Sequence, residues 1–272
     1  MFDLSESSIL QQLVVTLSMM DKSIQELMNT FTRDIATGPN WVLVTKAVEV
    51  SKMIALMLVT GYWIVNLINE VTEIDWRNLS MWWYMRKLAG LILAEQLINM
   101  ADSICLTIYQ VVGWALKEYG GLNTSFELFA NTEMKGIMEA VKDMGLMEKL
   151  IFKMDLMIPQ MVILVCAIVL MVLAEFRIMT IYLMIIISPV CLATAVNKGV
   201  SGAYPFIKEF VGVTAQAVIM VIAITLYNST VMGNVNLEVT GLESLYKLVV
   251  HTIVLLVMIL SSQGIAKMLA GR

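Results

Sequence analysis

The sequence predicts an all-α, polytopic membrane protein, with five or six transmembrane helices behind an N-terminal amphipathic helix. Three observations lead there. Uncharged stretches recur along the chain, among them Leu156 to Ala174, Ile178 to Asn197, Phe210 to Leu237 and Leu248 to Ala266, and about 20 apolar residues of helix suffice to cross a bilayer. The 272 residues are 59% hydrophobic and 15% charged, against roughly 25% charged in soluble domains. Before the first of these stretches, apolar residues return at alternating steps of three and four, the mark of an amphipathic helix.

That first segment opens with Asp3 and, three residues on, Glu6, a pattern resembling a capping box. Asp3 and Glu6 also stand where a signal peptide carries positive charge, so no cleaved signal is expected. Leu10, Leu13, Leu17, Met20, Ile24, Leu27 and Phe31 then form a heptad seam, which suits either a helix packed on its own chain or membrane, or an oligomer contact. Turn chemistry at Thr37-Gly38-Pro39-Asn40 closes a unit over 1–40.

Two spans are expected over 41–116. In the first, Lys46, Glu49 and Lys52 recur at steps of three, able to pair or to snorkel to the interface. Met53 to Asn69 is free of charge, and Trp41 and Trp63 suit interfacial depths. Trp76, Trp82, Trp83 and Tyr84, mixed with Arg77, Arg86 and Lys87, read as an anchor at headgroup level. In the second span, Glu95, Asn99 and Asp102 fall at i, i+4 and i+7, which places them on one helical face. Acids inside an apolar helix are costly unless they face protein or water. They predict a polar lining or a contact with a neighbouring helix.

The extramembrane insert over 117–155 carries five Lys against seven acidic residues. Met134, Ile137, Met138, Val141, Met144 and Met147 follow a helical period there, predicting an amphipathic helix with an adaptable methionine face. The C-terminal spans occupy 156–272. At their centre stands Arg177, followed by twenty uncharged residues from Ile178 to Asn197 with Ser188-Pro189 in their midst. Pro189 cannot donate a backbone hydrogen bond and frees the carbonyl of Ile185, so a kink is expected with Ser188 or a neighbouring helix close by. Glu175-Phe176-Arg177 is either the tip of a hairpin or an interior point of one long bent helix. Gly199, Gly202 and Pro205 suggest a hinge before the next span, where Gly212, Ala215, Ala217 and Ala223 permit close helix approach. His251, the only histidine, reads as hydrogen-bonded structure.

A net charge of −4 and the lack of clustered Lys and Arg argue against a nucleic-acid surface. Cys105, Cys166 and Cys191 each sit in apolar runs, without disulfide or metal spacing. No phosphate-binding glycine loop, nucleophile elbow, paired zinc histidines or calcium loop occurs. Neither catalytic residues nor cofactor nor metal is therefore expected. With six crossings and both ends inside, eleven Lys and Arg lie inside against five outside; with five crossings the tally is seven to eight. The positive-inside rule prefers six.

The N-terminal amphipathic segment, the mid-chain insert, and Arg177 about a dozen residues before Ser188-Pro189, followed by a Gly-containing hinge and another apolar span, resemble the TrbL-like polytopic inner-membrane subunit of type IV secretion and conjugation systems. The likeness is motif-specific from Arg177 to about Val221. It implies a non-enzymatic, oligomeric channel or scaffold subunit in the bacterial cytoplasmic membrane, partnered by other channel subunits and secretion ATPases, and passing DNA or protein only transiently. It also implies five spans, with the N-terminus outside and the C-terminus inside, and so favours the bent helix. The alternative is a small-solute transporter, with Glu95 and Asp102 coupling to protons. An intramembrane enzyme has least support.

Overall fold

The computed structural model describes residues 6–73, 81–120, 145–195, 200–234 and 241–269. These form seven α-helices and one 3₁₀ turn: α1 (Glu6–Thr32), the turn (Ile35–Thr37), α2 (Trp41–Glu73), α3 (Met81–Asn99), α4 (Ala101–Gly120), α5 (Leu146–Ala193), α6 (Val200–Asn234) and α7 (Gly241–Leu269). Most of the expected insert helix, and Gly199 of the expected hinge, lie outside the described residues.

The chain divides into two compact units. One comprises Met1–Arg33, Ala115–Arg177 and Gln216–Ile265. In it the last part of the N-terminal seam, Ile24, Leu27 and Phe31, is buried with Ser23. Their spacing allowed either packing on the chain itself or a contact between copies; in the single chain these three side chains are buried. The side chains of Leu10, Leu13, Leu17 and Met20 lie outside the description.

The other unit comprises Asp34–Trp114, Ile178–Ala215 and Ala266–Arg272. The Asp34 carboxylate accepts from the Ala36 backbone N–H at 3.0 Å and caps the 3₁₀ turn. Along α2 the buried residues Val44, Val48, Ala55 and Val59 recur at helical spacing and make one inward stripe. Its first half joins Ile35, Cys105, Tyr109, Ile181, Tyr182, Ile185 and Phe210 in the largest cluster of this unit. Its second half meets Ala94, Ile98 and Ala193. Three alanines at this crossing let backbones approach closely, which is how helices gain contact in lipid.

Among the described residues, three helices are long and apolar enough to cross a membrane: Met147–Ala193, Ser201–Leu226 and Val249–Ala266. A fourth crossing exists if α3 and α4, bent by 56° at Met100, form one broken span. This is fewer than the five or six expected. One reason is that α5 runs unbroken for 48 residues through Glu175-Phe176-Arg177, which removes the hairpin on which six crossings depended. The other is α2, where charges at both ends leave only Met53 to Asn69 uncharged, with Asn66 and Asn69 among them. That is the short limit for a span.

Of the residues that suggested a hinge, Gly202 and Pro205 lie inside α6. A Cβ on Gly202 would stand 2.6 Å from the Thr194 carbonyl oxygen. The Thr194 hydroxyl donates to the carbonyls of Cys191 and Gly202, at 2.7 and 3.0 Å. Since backbone opposes backbone here, Gly202→Ala is expected to destabilise the protein by about 1–3 kcal/mol. The check is a lower thermal midpoint of the detergent-solubilised protein, with Gly113→Ala, a helix-interior position where a Cβ meets nothing within 4 Å, as the control expected to keep or raise the midpoint.

Candidate functional site

The charged residues of the described helices include two ion pairs and, on α5, a buried cation without an acceptor. The first pair lies where α3 gives way to α4. Lys52 of α2 donates to the Asp102 carboxylate at 2.8 Å, with the two side chains 22% and 30% exposed. Sequence spacing put Glu95, Asn99 and Asp102 on one face. The bend at Met100 instead puts Asp102 in the first turn of a new helix, where a carboxylate also suits the helix dipole. Glu95 and Asn99 remain exposed on α3. Sequence spacing also allowed Lys52 to pair locally with Glu49, yet its partner lies fifty positions away.

One turn beyond Asp102, Cys105 is buried in one cluster with Ile181, Tyr182 and Ile185 of α5. Ser188 is fully buried, and its hydroxyl donates to the Ile185 carbonyl at 2.7 Å. This is the carbonyl that Pro189 leaves without its helical partner. Serine and proline thus act as a unit: one removes a donor, and the other supplies it.

A second polar cluster ties α2 to α3. Lys87 and Glu70 form an ion pair, Trp83 Nε1 donates to the other oxygen of Glu70 at 3.1 Å, and Trp63 Nε1 donates to the Lys87 carbonyl at 3.3 Å. The Lys87 ammonium also lies 5.9 Å from the centroid of the Trp83 ring. Pairing of 63 with 87 and of 70 with 83 runs the helices antiparallel. Trp82 and Met81 project outward, largely exposed, as an aromatic anchor at headgroup depth would.

In the other unit, the Gln216 amide donates to the Ser262 hydroxyl at 2.8 Å, and the Ser262 hydroxyl in turn donates to the Ile259 carbonyl at 2.5 Å. Both side chains are buried, joining α6 to α7. Sequence reasoning missed this bond; the available signal was one amide set between Ala215 and Ala217. Two charges of α5 lack a partner among the described residues. Arg177 is 7% exposed, and its Nε and Nη2 have no acceptor among the described residues. Glu175, two positions earlier, is exposed. Among the described residues no three His, Cys, Asp or Glu side chains converge as a metal site would require.

A family model described as TrbL/VirB6 plasmid conjugal transfer like protein matches residues 40–189, more than half of the 272 residues. The chain belongs to that family. No curated protein and no solved structure matches it. The matched region contains α2, α3 and α4 and follows α5 as far as Pro189. It therefore includes the Lys52–Asp102 pair, Arg177 and the Ser188-Pro189 unit. With its apolar helices, the TrbL/VirB6-like chain is a multi-pass membrane protein, a membrane subunit of a conjugal transfer or type IV secretion apparatus that works in a complex with other subunits.

The Lys52–Asp102 bond is open to a double-mutant cycle. Asp102→Asn and Lys52→Gln are each expected to cost about 1–2 kcal/mol, and the double substitution no more than the worse single one. Thermal midpoints of the four proteins in one detergent would measure this; additive losses would mean that the two side chains act independently.

Proposed function

We propose that this family member is a non-enzymatic, homo-oligomeric channel subunit in the bacterial cytoplasmic membrane, which passes DNA or protein substrate while secretion ATPases supply the energy. The observation that carries the reading is the broken α3–α4 pair, with an ion pair at its break that is only partly covered. A bent helix and a charge at membrane depth are tolerated where protein buries them or where they line a wet passage. Partial exposure of Lys52 and Asp102, with Glu95 and Asn99 exposed on the same broken span, favours the lining. No phosphate-steering basic surface is needed for a substrate that touches the channel only transiently.

In this reading α2 adds a crossing through Met53 to Asn69 to the four that length and composition support. That gives five spans, with the N-terminus outside and the C-terminus inside. The solute-transporter alternative would couple protons through Glu95 and Asp102; Asp102 is engaged by Lys52, which leaves that reading with Glu95 alone.

The reading is tested by transfer frequency between donor and recipient cells, with the chromosomal or plasmid copy replaced by Asp102→Asn or by Glu95→Gln. Transfer is expected to fall by about an order of magnitude, with the amount of protein in the membrane unchanged. Unchanged transfer in both variants, or proton-driven uptake of a small solute by vesicles holding the purified chain alone, would remove the channel reading.

A further inference from the structure

Arg177 and Glu175 are a cation and an anion at nearly one depth of one helix, and they cannot satisfy each other. Two positions along an α-helix turn by about 200° and rise about 3 Å, and residues at i and i+2 do not face each other. Arg177 is turned inward, 7% exposed. Its unmet donors, Nε and Nη2, lie on the same edge of the guanidinium, the planar fork that takes both oxygens of a carboxylate. Leu173, one turn earlier, is only half-buried. Nε and Nη2 are both buried in the single chain, but Arg177 stands at the margin of the buried face, and its three methylenes let the guanidinium turn outward to the surface when a neighbour offers an acceptor. Glu175 lies on the outward face with Ile168, Val172 and Phe176, all of them exposed. A carboxylate in so apolar a face is costly against lipid.

Copies inserted in one membrane share orientation and depth, so Glu175 of one meets the level of Arg177 in the next without any shift along the helix axis. We propose that Glu175 of one copy seats on the Nε–Nη2 edge of Arg177 in the adjacent copy, joining copies head to tail through α5. Such a contact uses two different faces of each copy and closes into a ring when the rotation permits. The occupant is a second copy because this chain carries both halves of the pair, each lacking its partner among the described residues. The proposal rests on the homo-oligomeric reading above and names the bond that holds that oligomer.

The experiment is self-association of the full chain in liposomes, followed by energy transfer between copies labelled at the N-terminus. Glu175→Gln, at an exposed position where folding is not at stake, and Arg177→Gln are each expected to weaken association about tenfold or more. Glu175→Arg alone and Arg177→Glu alone should not self-associate, whereas an equal mixture of these two proteins should. In the mixture every 175–177 contact between unlike copies again joins opposite charges. One chain carrying both exchanges should recover as well, and only a neighbouring copy could restore it.

Single variants that associate normally, or losses that neither the mixture nor the double exchange reverses, would overturn the bond and leave the oligomeric reading standing. Wild-type chains that show no energy transfer at any protein-to-lipid ratio would overturn both.

Discussion

A polar group inside a bilayer finds its partner in protein or remains unpaired, because hydrocarbon offers neither donor nor acceptor. This constraint accounts for more of the described contacts than any local preference for helix. Pro189 takes one donor out of α5, and the Ser188 hydroxyl replaces it on the Ile185 carbonyl at 2.7 Å. Asp102 stands at the break between α3 and α4, and Lys52 crosses from α2 to meet it at 2.8 Å. Gln216 would leave an amide unpaired in the interior of α6, and Ser262 of α7 receives it. In each case a polar side chain joins helices or mends one. Each such bond also restricts the register in which apolar surfaces pack, which apolar contact alone specifies poorly.

Much of this arrangement was legible in the sequence. The uncharged stretches located α5, α6 and α7, and the Ser-Pro dipeptide named the orphaned carbonyl, with Ser188 as one of two candidates to serve it. The absence of Gly or Pro around Glu175-Phe176-Arg177 was evidence for a continuous helix, and α5 is continuous; the charges there had suggested a hairpin tip to the positive-inside count. The bend at Met100 had no such marker. Nothing in Gln96 to Asp102 breaks a helix by propensity, so the face shared by Glu95, Asn99 and Asp102 looked intact.

Long-range pairing was illegible for a different reason. Lys46, Glu49 and Lys52 have spacing that suits local contact, and spacing carries no information about a carboxylate fifty residues on. The heptad seam shows the same limit. Periodicity states that Ile24, Leu27 and Phe31 share a face but not whose surface covers it, and in the single chain all three are already buried.

The length of α5 bears on how a family member of this kind meets its neighbours. From Leu156 to Ala193 the helix carries only Glu175 and Arg177 as charges, and at 1.5 Å per residue this segment is about 57 Å long. A hydrocarbon core of about 30 Å, crossed at the largest common tilt of about 40°, covers about 39 Å of helix. Lipid therefore cannot cover the whole apolar segment, wherever Glu175 and Arg177 are placed. If the two charges sit at an interface, one flank leaves the bilayer with its apolar face uncovered. If they sit at mid-depth, both flanks protrude and Glu175 faces hydrocarbon. Either position calls for protein along α5, and membership of a multi-subunit secretion complex supplies it. A surface of this length is stable only in company, which makes α5 the segment through which the isolated chain is least complete.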